Sequence, residues 1–280
     1  MDHPDWLGAA RRAAQAMSAM LAERPTTAER VVETGERGEG GDRTLEIDAA
    51  AERAVFAELE GLHAAGARFT VVSEERGTVD YDGDGTLVIV DPIDGSLNAK
   101  RGMAHHALSI AVAEGPTMAD VVFGFVYDLG PGEEWVAERG AGATLDGARL
   151  DPSIGERRNR AGKLELVGIE SADPRWVREA GDALVDTSHR LRAMGTIAVT
   201  LCQVAGARLD GMVTLRASRA VDAAAGQLIV REAGGHVAFT ACADPLGAPL
   251  DVAPHSPVVA ARTPEGLREL ARVPLRKTGV

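Results

Sequence analysis

Val88–Asn98, with the sequence VIVDPIDGSLN, is the stretch from which the rest of the chain is interpreted. It begins with β-branched residues, as in a buried strand, and then passes through Asp-Gly-Ser, which suits a turn and the start of a helix. Two carboxylates therefore lie where a strand passes into a helix. Because backbone N–H groups at a helix start favour an anion, carboxylates placed there need a cation between them and the anion. The stretch predicts a divalent metal ion and a phosphate group.

The internal chemistry of this stretch supports a metal site. Pro92 fixes φ, which helps to hold Asp91 and Asp94 in one orientation, and the Ile93 carbonyl between them can turn towards the same ion. Hard cations such as Mg²⁺ prefer carboxylate, carbonyl and water oxygens. A strand end this apolar should not carry two carboxylates without partners, so the metal interpretation is favoured over a solvated turn.

The composition restricts the class of protein. The chain has 280 residues, 45% of them hydrophobic, and a formal net charge of −12, which allows one large domain or two small ones. The negative charge argues against a nucleic-acid partner, because phosphate backbones need clustered Lys and Arg. A phosphorylated metabolite stays compatible, since bound metal ions reverse the local potential. The two cysteines give no zinc spacing and fit a reducing compartment. We find neither a signal peptide nor a membrane-spanning run, and expect a cytoplasmic protein without a membrane partner.

Helical and strand patterns alternate along the chain, which predicts an α/β fold. Trp6–Ala22 has apolar residues at helical spacing and is interpreted as an amphipathic helix. Thr34–Gly41 is rich in Gly and charge, so we expect a mobile loop there. Residues 151–162 are polar and predict a boundary between an N-terminal half, 1–150, and a C-terminal half, 151–280.

Two further acidic segments lie at the ends of predicted elements. Glu74 and Glu75 follow a short strand. Asp222 begins a helix that extends to Glu232, and Asp222 taken alone is best interpreted as its N-cap. The segment 80–85 matches the opening of an EF-hand loop, but strands are predicted on both sides of it, so we interpret it as a solvated acidic turn.

Four motifs carry a resemblance to a known family. The segment 91–98 resembles the first signature of the inositol monophosphatase family, D-P-[IL]-D-G-[ST]-x-N, and the segment 221–235 resembles its second, W-D-x-A-A-G-x-x-[IL]-x-x-E-A-G-G. Ser73-Glu74-Glu75 is similar to the family's G-E-E, and 46–52 is similar to T-x-x-D-x-x-[AS]-E. All four occur in family order, so the chain is identified as a member. Residues 98–102 and 194–211 look most similar to the archaeal-type enzymes that hydrolyse both inositol monophosphate and fructose 1,6-bisphosphate.

The resemblance implies a fold, an assembly and a set of residue roles. The fold would be a layered α-β-α-β-α sandwich of the sugar phosphatase type, the assembly a homodimer, and the cofactor two or three Mg²⁺ ions per subunit. The resemblance implies that the metal ligands are Glu74, Asp91, the Ile93 carbonyl, Asp94 and Asp222, that the amides of Gly95 and Ser96 bind phosphate, and that Asp48, Ser96 and Glu74 act in catalysis. In that scheme the Ser96 hydroxyl, paired with Asp48, helps to activate a metal-bound water.

Departures from the family pattern bear on specificity. Ser96 replaces the usual Thr but keeps the hydroxyl, and Val221 replaces the usual Trp. Leu215 lies where animal-type members have a Glu that contacts inositol. Arg216 and Arg219 are therefore candidates to meet a second phosphate, because guanidinium suits phosphate oxygens; the alternative is that both are solvated surface residues. The remaining candidates for contact with the substrate are Arg192, Gly195 and Thr196, then Lys100, with His105 and His106 as structural or substrate-rim residues.

The predicted function is Mg²⁺-dependent hydrolysis of a small phosphorylated polyol or sugar, namely inositol monophosphate and/or fructose 1,6-bisphosphate. The alternatives within the class are another sugar or polyol phosphate, 3′-phosphoadenosine 5′-phosphate and histidinol phosphate. The alternative from another class is a non-catalytic protein that senses metal or phosphate. The complete set of expected site side chains favours an enzyme: Asp48, Glu74, Asp91, Asp94, Ser96 and Asp222.

Overall fold

A computed structural model of the chain describes residues 4–37 and 43–275. Within these residues the helices are α1 (Trp6–Ala22), α2 (Thr27–Arg30), α3 (Glu46–Ala64), α4 (Ser96–Lys100), α5 (Pro174–Thr187), α6 (Ile197–Ala205), α7 (Ala220–Glu232) and α8 (Pro264–Leu270). The strands are β1 (Glu33–Arg37), β2 (Arg43–Leu45), β3 (Phe69–Ser73), β4 (Gly77–Tyr81), β5 (Leu87–Asp94), β6 (Ala107–Ala113), β7 (Val121–Asp128), β8 (Glu133–Glu138), β9 (Gly142–Leu145), β10 (Ala148–Arg149), β11 (Leu164–Glu170), β12 (Ser188–Arg192), β13 (Gly211–Thr214), β14 (His236–Phe239) and β15 (Val258–Ala261). None of the described helices is both long and apolar enough to cross a membrane.

The larger sheet has eight strands in the order β10-β9-β8-β7-β6-β5-β3-β4. Its neighbouring strands are antiparallel except for β3 and β5, which are parallel. Side chains of β5 alternate between two cores, because successive residues of a strand face opposite ways. Val88 and Val90 pack with α1 and α3, whereas Ile89 packs on the other face with α6 and α7. This confirms the buried strand that the β-branched run predicts.

The smaller sheet has five strands in the order β12-β11-β13-β15-β14. Helices α6 and α7 lie between the two sheets, and α7 contacts β5 to β8 of the larger sheet and β14 and β15 of the smaller. Every residue of α7 from Ala220 to Val230 is buried, as expected for a helix that packs on more than one side.

The outer layers complete the sandwich. Helices α1 and α3 cover the free face of the larger sheet, and α5 and α8 cover the outer face of the smaller one. The order of layers is therefore α-β-α-β-α, which confirms the expected fold class. A single apolar cluster joins α6 and α7 to strands of both sheets, and the division into halves 1–150 and 151–280 stays a prediction.

The expected loop at Thr34–Gly41 is wrong for residues 34–37. These residues belong to β1, which pairs antiparallel with β2, with Glu33 opposite Leu45 and Arg37 opposite Arg43. Strand pairing uses backbone groups, so a polar, Gly-containing composition does not prevent it. Residues 38–41 lie outside the described residues.

Close packing fixes α7 against the larger sheet. Gly124 of β7 faces α7, and a Cβ added at Gly124 would lie 2.8 Å from the carbonyl oxygen of Ala225. On another side of the helix, a Cβ at Gly226 would lie 2.8 Å from the Cβ of Leu201 in α6. The missing side chains therefore let α7 approach both neighbours.

We predict that Gly124→Ala lowers the free energy of unfolding by about 1–3 kcal/mol, since the backbone of α7 must shift to admit the methyl group. The measurement is urea unfolding of both proteins. Gly61→Ala is the matched control, because a Cβ at this exposed position of α3 meets nothing within 4 Å; we expect Gly61→Ala to be neutral or to stabilise by up to about 1 kcal/mol. Equal losses in the two variants would contradict the packing argument.

Candidate active site

The end of β5 presents Asp91 and Asp94 as predicted. The pairing register with β6 shifts between these two residues, and the Ile93 N–H donates to Asp91 Oδ1 at 3.0 Å. Gly95 follows with φ +85°, and a Cβ there would lie 3.1 Å from the carbonyl oxygens of Gly195 and His105. Because glycine alone fits this left-handed and crowded position, the strand turns sharply into α4.

Three carboxylates from distant parts of the chain meet beside this turn. Glu74 directly follows β3, which is the parallel neighbour of β5, and Ser73 is paired with Val90, so Glu74 and Asp91 lie side by side at the same end of the two strands. Asp222 comes from the first turn of α7. One carboxylate oxygen from each of Glu74, Asp91 and Asp222 lies within 4.8 Å of the others. This set of hard oxygen donors fits a divalent cation such as Mg²⁺.

Asp94 connects this cluster to the second half of the chain. Its Oδ2 accepts hydrogen bonds from Thr196 Oγ1 at 2.5 Å and from the Ala198 N–H at 2.6 Å. Thr196 is also the N-cap of α6, where its hydroxyl accepts from the Val199 N–H at 3.3 Å. The start of α6 therefore orients Asp94.

Burial and mutual repulsion raise the pKa of several of these acids. The pKa of Asp91 lies well above its usual range, first because the side chain is desolvated and then because Glu74 and Asp94 are close. The pKa of Asp94 is raised in the same way by burial and then by Asp222. Burial also raises the pKa of Glu74, against the opposing charge of Arg219. Such a group of buried like charges is stabilised by a bound cation and is typical of functional sites.

Arg219 contacts two of the three carboxylates. Its Nη1 lies 2.6 Å from Glu74 Oε1, and its Nη2 lies 3.1 Å from Asp222 Oδ1. The interpretation of Asp222 as the N-cap is wrong, because α7 begins at Ala220 and Arg219 is its N-cap. Asp222 is the third helical residue and accepts the Arg219 N–H at 3.2 Å, as the acid of a capping box does.

Asp48 and Ser96 lie on neighbouring helices. Asp48 is buried in the first turn of α3, and Lys100 Nζ at the end of α4 lies 3.8 Å from Asp48 Oδ2. Ser96 is the first residue of α4 and is half-buried. The placement brings Asp48 next to the helix that Ser96 begins, and a catalytic pair of these two residues stays a prediction.

The remaining substrate candidates divide into two groups. Gly195 and Thr196 lie against the β5 turn, as described above. Arg192 and Arg216 are exposed: Arg192 donates to the Leu191 carbonyl at 2.9 Å, and the Arg216 guanidinium carbon lies 5.7 Å from the centre of the Trp176 ring. Neither of these contacts involves a carboxylate of the cluster.

Side chains of the adjacent loop serve as structural partners. His105 has φ +64°, and its Nδ1 lies 2.9 Å from Oδ2 of the buried Asp128. His106 Nδ1 lies 3.1 Å from the Met103 carbonyl. Asn98 Nδ2 donates to the carbonyls of His105 and Met194, at 2.9 and 2.7 Å. Asn98 therefore ties α4 to the loop before α6.

Glu170 is a site residue that the sequence interpretation missed. It ends β11 and accepts hydrogen bonds from the Met194 N–H at 2.9 Å, the Gly195 N–H at 3.0 Å and Thr200 Oγ1 at 2.7 Å. Burial raises its pKa to about 7, against the effect of these donors. An acid at the end of an apolar strand was the available indication, the same one that identified Asp91.

We predict that Glu170→Gln removes a pH dependence of stability. In the folded protein the pKa of Glu170 is raised from 4.5 to about 7. The contribution of neutral Glu170 to the free energy of unfolding is therefore fully present below about pH 4.5 and is lost as the pH rises through about 7. Between about pH 5 and pH 8, the free energy of unfolding of wild type should therefore fall by up to about 3 kcal/mol more than that of Glu170→Gln.

The measurement is urea unfolding of both proteins at the two pH values with a chelator present. Thr200→Val is the control, because it removes one hydrogen bond to Glu170 but keeps the titrating group. Parallel pH profiles for wild type and Glu170→Gln would contradict the prediction.

Comparison with known proteins supports the family that the motifs indicate. The model of the inositol monophosphatase family matches residues 3–274. The fructose-1,6-bisphosphatase/inositol-1-monophosphatase of Methanothermobacter thermautotrophicus is 33% identical over 243 residues, which cover 83% of each chain. The Nus factor SuhB of Haemophilus influenzae is 32% identical over 70% of this chain and 71% of its own.

A solved structure shows the same fold. The MJ0109 gene product, described as an inositol monophosphatase–fructose 1,6-bisphosphatase, aligns with a TM-score of 0.80 over 96% of this chain and 99% of its own, at 22% sequence identity. The structural likeness concerns the fold, and the family follows from the sequence matches. On these grounds the chain belongs to the inositol monophosphatase family, whose members hydrolyse phosphate monoesters.

Proposed function

We propose that this protein is a Mg²⁺-dependent phosphatase that acts on inositol monophosphate and fructose 1,6-bisphosphate. The observation that carries the proposal is the convergence of Glu74, Asp91 and Asp222 beside the Gly95 turn. Carboxylates alone would repel a phosphate, whereas carboxylates that hold Mg²⁺ attract one. The archaeal relative, which carries both activities in its name, supports this pair of substrates.

The side chains support a specific division of roles. Glu74, Asp91 and Asp222 would hold Mg²⁺, with Asp94 and the Ile93 carbonyl beside them. A Mg²⁺ ion held there would lower the pKa of a bound water and would neutralise charge on the phosphate. The backbone amides of Gly95 and Ser96 would orient the phosphate at the start of α4, and Asp48 with the Ser96 hydroxyl would take up the proton of the attacking water.

Specificity for a bisphosphate rests on the segment that precedes Asp222. Leu215 is buried, and its N–H donates to the Glu170 carbonyl at 2.9 Å. As an apolar residue, Leu215 offers no carboxylate to an inositol hydroxyl. Exposed Arg216 and partly exposed Arg219 supply positive charge nearby. We further propose a homodimer in the cytoplasm, without nucleic-acid or membrane partners.

A substrate panel tests the proposal. With Mg²⁺ present we expect phosphate release from fructose 1,6-bisphosphate and from inositol monophosphate, and a chelator should abolish both. The panel includes 3′-phosphoadenosine 5′-phosphate and histidinol phosphate as the alternative substrates. Release from inositol monophosphate alone would exclude the bisphosphate activity. If no panel substrate is hydrolysed but Mg²⁺ or phosphate binds, the non-catalytic sensing function would replace the enzyme.

We predict that Asp94→Asn abolishes turnover and leaves the fold intact. Both hydrogen bonds from α6 go to one oxygen of Asp94, so an Asn oxygen can accept them while its amide takes the place of the other oxygen. The rate should fall by more than about a hundredfold, because residues that only orient metal ligands already contribute about 10–100-fold. Phosphate release and the unfolding midpoint are the measurements.

Thr196→Val serves as the comparison for Asp94→Asn, since it removes one of the two orienting hydrogen bonds but keeps the carboxylate. We expect it to lose less activity than Asp94→Asn. Wild-type turnover in Asp94→Asn would disprove the assignment of Asp94 as a metal ligand.

A further inference from the structure

Arg219 places a fixed positive charge against the candidate metal ligands. Its two terminal nitrogens contact one oxygen each of Glu74 and Asp222, at 2.6 and 3.1 Å. The side chain is only 29% exposed, and those of Glu74 and Asp222 are 24% and 11% exposed, so water screens these ion pairs weakly. Arg219 therefore already neutralises part of the charge that a metal ion would neutralise.

The backbone around Arg219 limits how far this charge can withdraw. The preceding residue, Ser218, is buried, and its N–H donates to the Ser256 carbonyl at 2.9 Å. The following residue, Ala220, is buried and begins α7. Arg219 itself donates its N–H to Asp222 at 3.2 Å. Only the Arg219 side chain can move, and its backbone is held next to Asp222, so the guanidinium stays near the carboxylates.

We propose that Arg219 is an internal counter-cation that competes with Mg²⁺ for Glu74 and Asp222 and so weakens metal binding. The inference rests on the metal role in the proposed function. A divalent ion held by these carboxylates would lie beside the guanidinium, and two cations that share the same ligands repel each other. Arg219 stabilises the protein when the ligands carry no other cation and opposes the metal when it binds.

Arg219 could instead help to position the metal ligands, and the two roles predict opposite changes in Mg²⁺ affinity when Arg219 is replaced. If the guanidinium served to orient Glu74 and Asp222 for the metal, its removal would loosen the ligands and weaken binding. If Arg219 competes, its removal strengthens metal binding, because Glu74 directly after β3 and Asp222 in α7 stay in place while the repulsion between the two cations disappears. Metal affinity therefore separates the two roles without any measurement of activity.

The test is calorimetric titration of Mg²⁺ into wild type and Arg219→Gln, together with thermal unfolding with and without Mg²⁺. We expect the Kd of Arg219→Gln to be at least about tenfold lower, because a unit charge and a divalent ion about 6 Å apart repel by that much even at the screening of bulk water, and water screens this site less. Without Mg²⁺ the variant should unfold about 2–4 °C earlier, and Mg²⁺ should raise its midpoint more than that of wild type.

Two control variants make the result specific. Arg216→Gln changes the net charge equally, but Arg216 is exposed over Trp176, so its Kd for Mg²⁺ should stay within about twofold of wild type, the range of a screened surface charge. Arg219→Lys keeps the positive charge, and its Kd should stay within about threefold of wild type.

Two outcomes would overturn the inference, and only one of them would also overturn the proposed function. Equal or weaker Mg²⁺ binding by Arg219→Gln, with normal binding by wild type, would overturn the competition and leave the proposed function intact. Absence of Mg²⁺ binding by wild type would overturn both.

Discussion

Repulsion among closely spaced and largely buried carboxylates is the constraint on which the rest of this structure depends. One carboxylate oxygen from each of Glu74, Asp91 and Asp222 lies within 4.8 Å of the others, and like charges this close repel one another. Burial and the neighbouring acids raise the pKa of Asp91 and of Glu74. Flexible loops would separate such groups. Here Glu74 follows β3, Asp91 lies in the last part of β5 and Asp222 lies in the first turn of α7, so the larger sheet and α7 resist the repulsion that a bound cation would relieve.

The middle layer has to be tightly packed for this reason. Asp222 reaches Asp91 only if α7 lies close to the larger sheet, and the side-chain-free surface of Gly124 allows that approach. The same helix is packed against both sheets, so its position is determined from several sides. Packing in the core and charge in the site are thus two consequences of one helix position.

A second pair of carboxylates, Asp94 and Glu170, holds the loop before α6. Asp94 extends from the larger sheet and accepts from Thr196 and Ala198, whereas Glu170 extends from the smaller sheet and accepts from Met194 and Gly195. The loop is therefore fixed between the sheets by acids from both sides. This arrangement couples the two sheets beside the candidate substrate residues Gly195 and Thr196.

Local chemistry allowed part of this to be predicted from the sequence. The strand, the turn and the two acids of residues 88–98 are adjacent, so periodicity and residue type were sufficient there, and the family motifs added Glu74 and Asp222. Glu170 lies at the end of an apolar strand, which was an indication, but it was missed because two of its three partners are backbone amides, which every residue has and no motif reveals. The β1–β2 pairing was missed for the same reason. The N-cap assignment of Asp222 failed because Asp suits both the N-cap and the third helical position.

The position of Arg219 joins reaction and specificity in one segment. From the sequence, residues 91–96 would fix the reaction, and residues 215–219 would select the substrate. In the structure Arg219 contacts Glu74 and Asp222, so a residue of the segment predicted to select the substrate carries charge into the candidate metal site. Any change of substrate preference made at Arg219 must therefore also change the electrostatics of the ligands. Arg216 lies over Trp176 instead, so under the proposed function a change at Arg216 would alter substrate preference while the charge balance among Glu74, Asp91 and Asp222 stays the same.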